Sequence, residues 1–220
     1  MSYSHIHTNR VFGSKMGRLG ISAALSLVAL TASSAPVFGQ IIRVEQDWKL
    51  VLNQPDYAVE APQFHTVMSP SDNLDGSYAQ VTWNYREYPE FSPGGLQVQA
   101  WSSDNVVETN STKTSSLSTV AETITWTQTL QTDGVALEFN IINGRSTTWG
   151  SFGGHHTETL WIAYVPDLGA YDTNVTAQNS WITFGDNRVD QLVVTEVRYY
   201  DAGGLVSTDT NDVVIFEIVD

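Results

Sequence analysis

The sequence predicts an all-β protein, a single β-sandwich or jelly roll of mostly antiparallel strands. Three observations predict it. Apolar residues alternate with period two through much of residues 40–220. No stretch of globular-helix length keeps an i, i+3, i+4 pattern. Clusters of Asp, Asn, Gly and Pro separate runs rich in β-branched and aromatic residues, the spacing of a sandwich.

The chain opens on a different pattern. Arg10, Lys15 and Arg18 carry positive charge, Leu19 to Leu30 is a short apolar run, and small residues follow. This is the order of a Sec signal peptide. Val37-Phe38-Gly39 places cleavage after Gly39, so residues 1–39 are expected to be the leader and 40–220 the domain, with Met16 opening a shorter leader of the same kind. The apolar run is short of the ~20 residues that cross a bilayer, and neither a twin arginine nor a lipobox cysteine is present. The expectation is export to the periplasm or the extracellular medium, without membrane insertion after cleavage.

Strands follow. Trp48, Leu50 and Leu52 share one face. Ala79, Val81, Trp83 and Tyr85 alternate with Gln80, Thr82, Asn84 and Arg86. Leu96, Val98 and Ala100 alternate with Gln97, Gln99 and Trp101. Ser102 to Ser118 is Ser/Thr-rich and reads as a mobile loop. Next, Ile124, Trp126, Gln128 and Leu130 oppose Thr123, Thr125, Thr127 and Thr129; Thr132-Asp133-Gly134 supplies a turn; and Val135, Leu137, Phe139 and Ile141 run back. That is a hairpin signature. Further strands are expected at Leu160 to Val165, Trp181 to Phe184, Gln191 to Tyr200 and Val213 to Val219.

Composition excludes some partners. The chain has 24 acidic and 10 basic residues. Three of the basic residues fall in the leader, leaving the domain strongly acidic. Such a surface repels phosphate backbones and anionic membranes, so nucleic acid is excluded as a partner. With no cysteine, thiol catalysis and thiolate metal sites are excluded, and an exported domain of this length buries a core without disulfides.

No catalytic motif is present: no Gly-x-Ser-x-Gly elbow, no His-Glu-x-x-His, no phosphate-binding loop, no EF-hand spacing. Weaker constellations remain. Trp48, Trp83 and Trp126 lie on apolar strand faces and are expected in the core. Trp101 shares the polar phase with Gln97 and Gln99, and Trp149 sits in a glycine-rich segment that could present it at a surface, so these four residues form the candidate ligand-binding surface. Trp161 is likewise out of phase with its apolar neighbours. In an extended segment His155 and His156 point to opposite faces, whereas His156 and Glu158 share one and could ligate Zn²⁺ or Cu²⁺. Asp72 and Asp75, and Asp209 and Asp212, bring hard oxygens into turns that suit a structural Ca²⁺. Glu87, Glu90, Glu122, Glu138 and Glu158 show no clustered pattern for glycoside hydrolysis, and the threonine row reads as a solvated sheet face.

Phe64-His65-Thr66-Val67-Met68-Ser69-Pro70, Val81-Thr82-Trp83-Asn84-Tyr85-Arg86-Glu87, Gly95-Leu96-Gln97-Val98-Gln99-Ala100-Trp101 and Ser146-Thr147-Thr148-Trp149-Gly150 resemble segments of uncharacterised exported proteins of planctomycete-type bacteria. The resemblance implies export and a β-rich domain and carries no activity. In architecture the chain resembles concanavalin-type and carbohydrate-binding jelly rolls, which does not fix function. The function expected is an exported, non-catalytic domain that binds a polysaccharide or other glycan. The alternatives are a structural protein of the cell envelope and a secreted hydrolase.

Overall fold

A computed structural model describes residues 39–53, 63–85, 95–112, 117, 119–154, 158–160, 165–184 and 188–218. The chain divides at Pro36/Val37, and the unit Val37–Asp220 holds every element below. In chain order these are β1 (Arg43–Leu52), β2 (Gln63–Met68), β3 (Ser77–Tyr85), β4 (Gly95–Ser102), β5 (Asn105–Thr112), β6 (Thr123–Thr132), β7 (Leu137–Ser146), β8 (Gly150–Phe152) and β9 (Glu158–Leu160). A short helix α1 (Thr173–Asn179) precedes β10 (Trp181–Phe184), β11 (Val189–Asp201), β12 (Gly204–Asp209) and β13 (Val213–Glu217). Among the described residues no helix is long and apolar enough to cross a membrane.

The strands form two open antiparallel sheets, an all-β sandwich. The larger runs β12-β11-β1-β6-β7-β8, with β13 also pairing β11 and β9 also pairing β7; the smaller runs β10-β2-β3-β4-β5. One core lies between them. Val44, Trp48, Leu50, Ile124, Trp126, Leu130, Phe139 and Leu192 enter it from the larger sheet, and Phe64, Met68, Ala79, Val81, Trp83, Leu96 and Val98 from the smaller. Period-two alternation puts each set on a single face.

Tryptophans dominate this core, as expected for Trp48, Trp83 and Trp126. Trp48 and Trp126 face each other across β1 and β6 with rings stacked at 5.8 Å, and Trp83 of the opposite sheet meets Trp126 at 4.1 Å. One layer beyond, Gln46 and Gln128 are fully buried and directly opposed. The hydroxyl of Thr66 on β2 accepts from Gln128 Nε2 at 2.8 Å and from Trp83 Nε1 at 3.1 Å, so a polar tie joins the two sheets in mid-core. Among the described residues neither amide atom of Gln46 has a hydrogen-bond partner.

The predicted hairpin is β6 and β7. Asp133 Oδ1 accepts from the amides of Val135 and Ala136, both at 2.8 Å, and Gly134 has φ of 89°. Val135 is therefore a turn residue, largely exposed, and the return strand begins at Leu137. Two other expectations are corrected. Ser102–Ser118 is not one loop: Ser103 and Asp104 make a tight turn with positive φ, and Asn105–Thr112 returns as edge strand β5. The threonine row is solvated only at Thr123 and Thr125; Thr127 and Thr129 are buried, beside a charge cluster on the outer face of the larger sheet.

In that cluster Arg198 donates to Asp47 through both terminal nitrogens at 2.6 and 2.9 Å, to Glu45 through Nε at 2.9 Å, and to Glu196. Thr127 Oγ1 and Tyr200 Oη add bonds to Asp47 and Glu45. Burial would raise the Asp47 carboxyl; the bonds from Arg198 and Thr127 and the guanidinium charge outweigh it and hold it below the usual carboxylate range.

Candidate functional site

The outer face of the smaller sheet is built differently. Alternation turns Tyr78, Gln80 and Thr82 of β3 away from the core, and with them His65 of β2 and Gln97, Gln99 and Trp101 of β4. Strand register sets these residues in rows. Trp181, His65, Thr82 and Gln97 are successive partners across β10, β2, β3 and β4. Val67, Gln80, Gln99 and Thr109 form the next row, and Tyr78 opposes Trp101 beyond it.

Among the described residues Trp181 is the most accessible large aromatic of this face, at 55 % exposure. It opens edge strand β10 directly after α1, whose end is set by the Ser180 amide donating to Thr176 O at 2.9 Å. Ser180 Oγ in turn accepts from Val67 N at 3.2 Å, fixing the helix end against β2. The start of α1 is capped by Asp172, whose carboxylate accepts from Asn174 N. Gln178, Asn179 and Trp181 therefore stand beside Val67, Leu74, Tyr78 and Gln80 around an open hollow of about 340 Å³.

His65 supports one end of the site. Its ring lies 5.3 Å from that of Trp181, and its Nδ1 is 3.0 Å from Thr82 Oγ1. Burial lowers its pKa to about 4, so the ring is neutral at physiological pH. At the other end Tyr78 and Trp101 lie parallel, 6.0 Å apart. Burial, with the charge of Asp104, raises the Tyr78 phenol and keeps it protonated as a hydrogen-bond donor.

Trp101 and Gln99 thus occupy the expected face, each half-buried, and the Trp101 indole nitrogen is enclosed with no partner among the described residues. Gln97 is on the same face but only 7 % exposed. Trp149 is a correction. It is 8 % exposed and packs into the core, 6.1 Å from Trp83 and edge-on to Phe152 at 5.7 Å. Glu122 causes this. The buried carboxylate accepts from Ser146 Oγ, from Thr148 N at 2.9 Å and from Thr148 Oγ1 at 2.6 Å, and folds the Ser146–Trp149 turn inward. Glu122 is therefore a structural carboxylate.

Of the predicted metal ligands, the two aspartate pairs are far apart in the fold, and His156 lies outside the described residues. Asp72 and Asp75 lie in the β2–β3 connection, whereas Asp209 ends β12 and Asp212 lies in the β12–β13 connection, on the other sheet. Asp72 Oδ1 accepts from Asn73 Nδ2, and Asp209 Oδ1 from the amide and side chain of Asn211, the local bonding of turn formers. Among the described residues no three His, Asp or Glu are grouped to hold a metal ion. Glu158 opens β9 opposite Phe139. His155, His156, Trp161, Glu87 and Glu90 lie outside the described residues.

Sequence reasoning missed Trp181, Tyr78 and Gln80 as a group. A signal was available for Trp181: in Trp181-Ile182-Thr183-Phe184 it shares its phase with a threonine, not with the two apolar residues. The grouping with Gln178 and Asn179 had none, because α1 reaches β2 only through tertiary contact.

The fold and face define an all-β sandwich with an aromatic and amide-bearing sheet surface. No family model, no curated protein and no solved structure matches the chain.

Proposed function

We propose that the domain is an exported, non-catalytic glycan-binding module whose site is the outer face of the smaller sheet. The observation that carries the reading is Trp181, a large indole left more than half exposed at a hollow lined by Tyr78, Gln80, Gln178 and Asn179. Aromatic faces stack on the apolar faces of sugar rings, and amides and a phenol match sugar hydroxyls as donors and acceptors. The lining is uncharged, which suits a neutral ligand. Trp181 and Tyr78 are separated by two strands and four residues, about 16 Å at the backbone. That separation suits several consecutive sugar rings better than a single one.

The test is retention of the protein on a panel of neutral polysaccharides. Trp181→Ala is expected to weaken the retained interaction about tenfold or more with an unchanged circular dichroism spectrum. Equal affinity of the variant, or retention on none of the glycans, would remove the reading. A structural, self-associating role is the second reading, favoured by Val106 and Val107 on edge strand β5 and Leu205 on edge strand β12, all exposed. Concentration-dependent assembly in sedimentation would support it.

A further inference from the structure

We propose that the Gly39–Gln40 peptide bond is the point of leader removal, and that the α-ammonium released on Gln40 is clasped by the carboxylates of Asp201 and Asp167. This rests on the leader pattern and on the geometry around residue 39. It is independent of the glycan reading.

The chain is fastened from Ile41 onward. Ile41 O accepts from Leu168 N at 2.6 Å, Ile42 N donates to Tyr200 O at 2.9 Å, and Ile42 O accepts from Thr132 N at 2.9 Å. Gly39 and Gln40 precede these bonds and are exposed, so the bond between them lies just outside the sandwich. There a hollow of about 470 Å³ opens beside Ile41, Tyr199 and Val206, lined also by Gly39, Gln40 and Asp167. Gly39 lies against Asp201: a Cβ at residue 39 would come 2.8 Å from Asp201 Oδ2. The Asp201 carboxylate thus reaches the backbone at residue 39, and the cleavage pattern Val37-Phe38-Gly39 asks for a small residue at the same position.

The two carboxylates suit a cation. Asp201 Oδ1 accepts from Gly203 N at 2.7 Å and Asp167 Oδ1 from Gly169 N at 2.9 Å, so one oxygen of each closes a local turn. Among the described residues the ion pairs involve neither aspartate. In the uncut chain the Gln40 nitrogen is a neutral amide. Hydrolysis adds water across the bond: hydroxyl goes to the Gly39 carbonyl carbon, the C–N bond breaks, and Gly39 departs with the leader as a carboxylate. The Gln40 nitrogen takes up protons and becomes an ammonium beside two acids, where charge attraction holds it. The clasp also has a chemical consequence. An N-terminal glutamine cyclises when its neutral amine attacks its own side-chain amide and expels ammonia; an ammonium held by carboxylates does not attack.

The experiment expresses the full chain with its own leader in a bacterium and recovers the exported protein. Intact mass and N-terminal sequencing are expected to show a chain starting at Gln40 with its amine and amide intact. The double variant Asp167→Asn and Asp201→Asn keeps both turn-closing oxygens and removes both charges. At neutral pH the wild-type α-amine should react with an amine reagent about tenfold more slowly than that of the double variant, the effect of about one pKa unit. A start elsewhere, an unprocessed chain, a pyroglutamate terminus or equal reactivity in the two proteins would each overturn the proposal.

Discussion

Thr66→Val removes one hydroxyl from the middle of the core and nothing else of comparable size. Thr66 is fully buried, and its Oγ1 is the acceptor for both Trp83 Nε1 and Gln128 Nε2. Valine fills nearly the same volume, so the cost comes from two donors left without an acceptor. A buried donor that loses its partner costs ~1–3 kcal/mol. Because the two share one acceptor and relax together, the expected loss is about 3 kcal/mol, a large part of the ~5–15 kcal/mol that holds a domain together. In a domain of this size that is a fall in Tm of roughly 6–12 °C. Urea unfolding followed by tryptophan fluorescence measures it, and the m-value should not change, because the buried surface is the same. Thr66→Ser is the control: it keeps the acceptor, drops one methyl, and should cost only about 1 kcal/mol. If Thr66→Val unfolds at the wild-type urea concentration, or Thr66→Ser is the worse variant, then the tie between the sheets contributes nothing and the reasoning fails.

The neighbouring Gln46 should behave in the opposite way. Its amide has no partner among the described residues, so Gln46→Leu is expected to leave stability unchanged or raise it by about 1 kcal/mol in the same urea assay. His65 makes stability depend on acid. Unfolded, it takes a proton near the ordinary histidine value of 6.5; folded, it resists until about 4. The unfolded state therefore binds more protons in that window, and stability falls as pH drops from 6.5 to 4, by up to about 3 kcal/mol. His65→Gln should flatten that part of the profile. Arg198→Met leaves Glu45, Asp47 and Glu196 gathered without their shared cation. The cost is expected to be about 2 kcal/mol at neutral pH, allowing for partial solvent screening. The gap to wild type should narrow in acid as Asp47, whose carboxyl Arg198 holds below the usual carboxylate range, takes up its proton, in parallel thermal melts.

Strands that alternate because they bury one face were legible; strands that bury little were not, nor was β2, where Thr66, Val67 and Met68 are buried in succession and break the alternation. The alternation of β3, β4, β6 and β7 exists because one side of each must avoid water. Edge strand β5 has Asn105, Val106, Val107, Glu108 and Thr109 exposed in succession; nothing forces alternation there, and its Ser/Thr content looks like a loop. Edge strand β12, exposed at nearly every position, was hidden for the same reason. Trp149 shows a second limit. Glycines around a tryptophan suggest a surface display, but Glu122, 27 positions upstream, pulls the turn inward through bonds no local pattern announces. Trp101 and Gln99 were readable because strand phase alone assigns their face. Trp181 and the α1 amides join them only through the pairing of β10 with β2.

The two outer faces of the sandwich argue for where function lies. On the larger sheet the polar side chains answer one another: Arg198 engages three carboxylates, Thr127 serves Asp47, Tyr200 serves Glu45, and Arg43 reaches Glu45 while lying over the Tyr200 ring. A ligand at this charge cluster would have to break existing bonds before making its own. On the smaller sheet an indole remains in water beside a phenol and amides, around a ready-made hollow. Leaving Trp181 exposed forgoes the stabilisation that burying so large an apolar surface provides. The core already encloses four other tryptophans, so the sequence has no difficulty burying indoles. An exposed indole flanked by hydrogen-bonding groups is therefore the observation that supports the proposed glycan-binding reading.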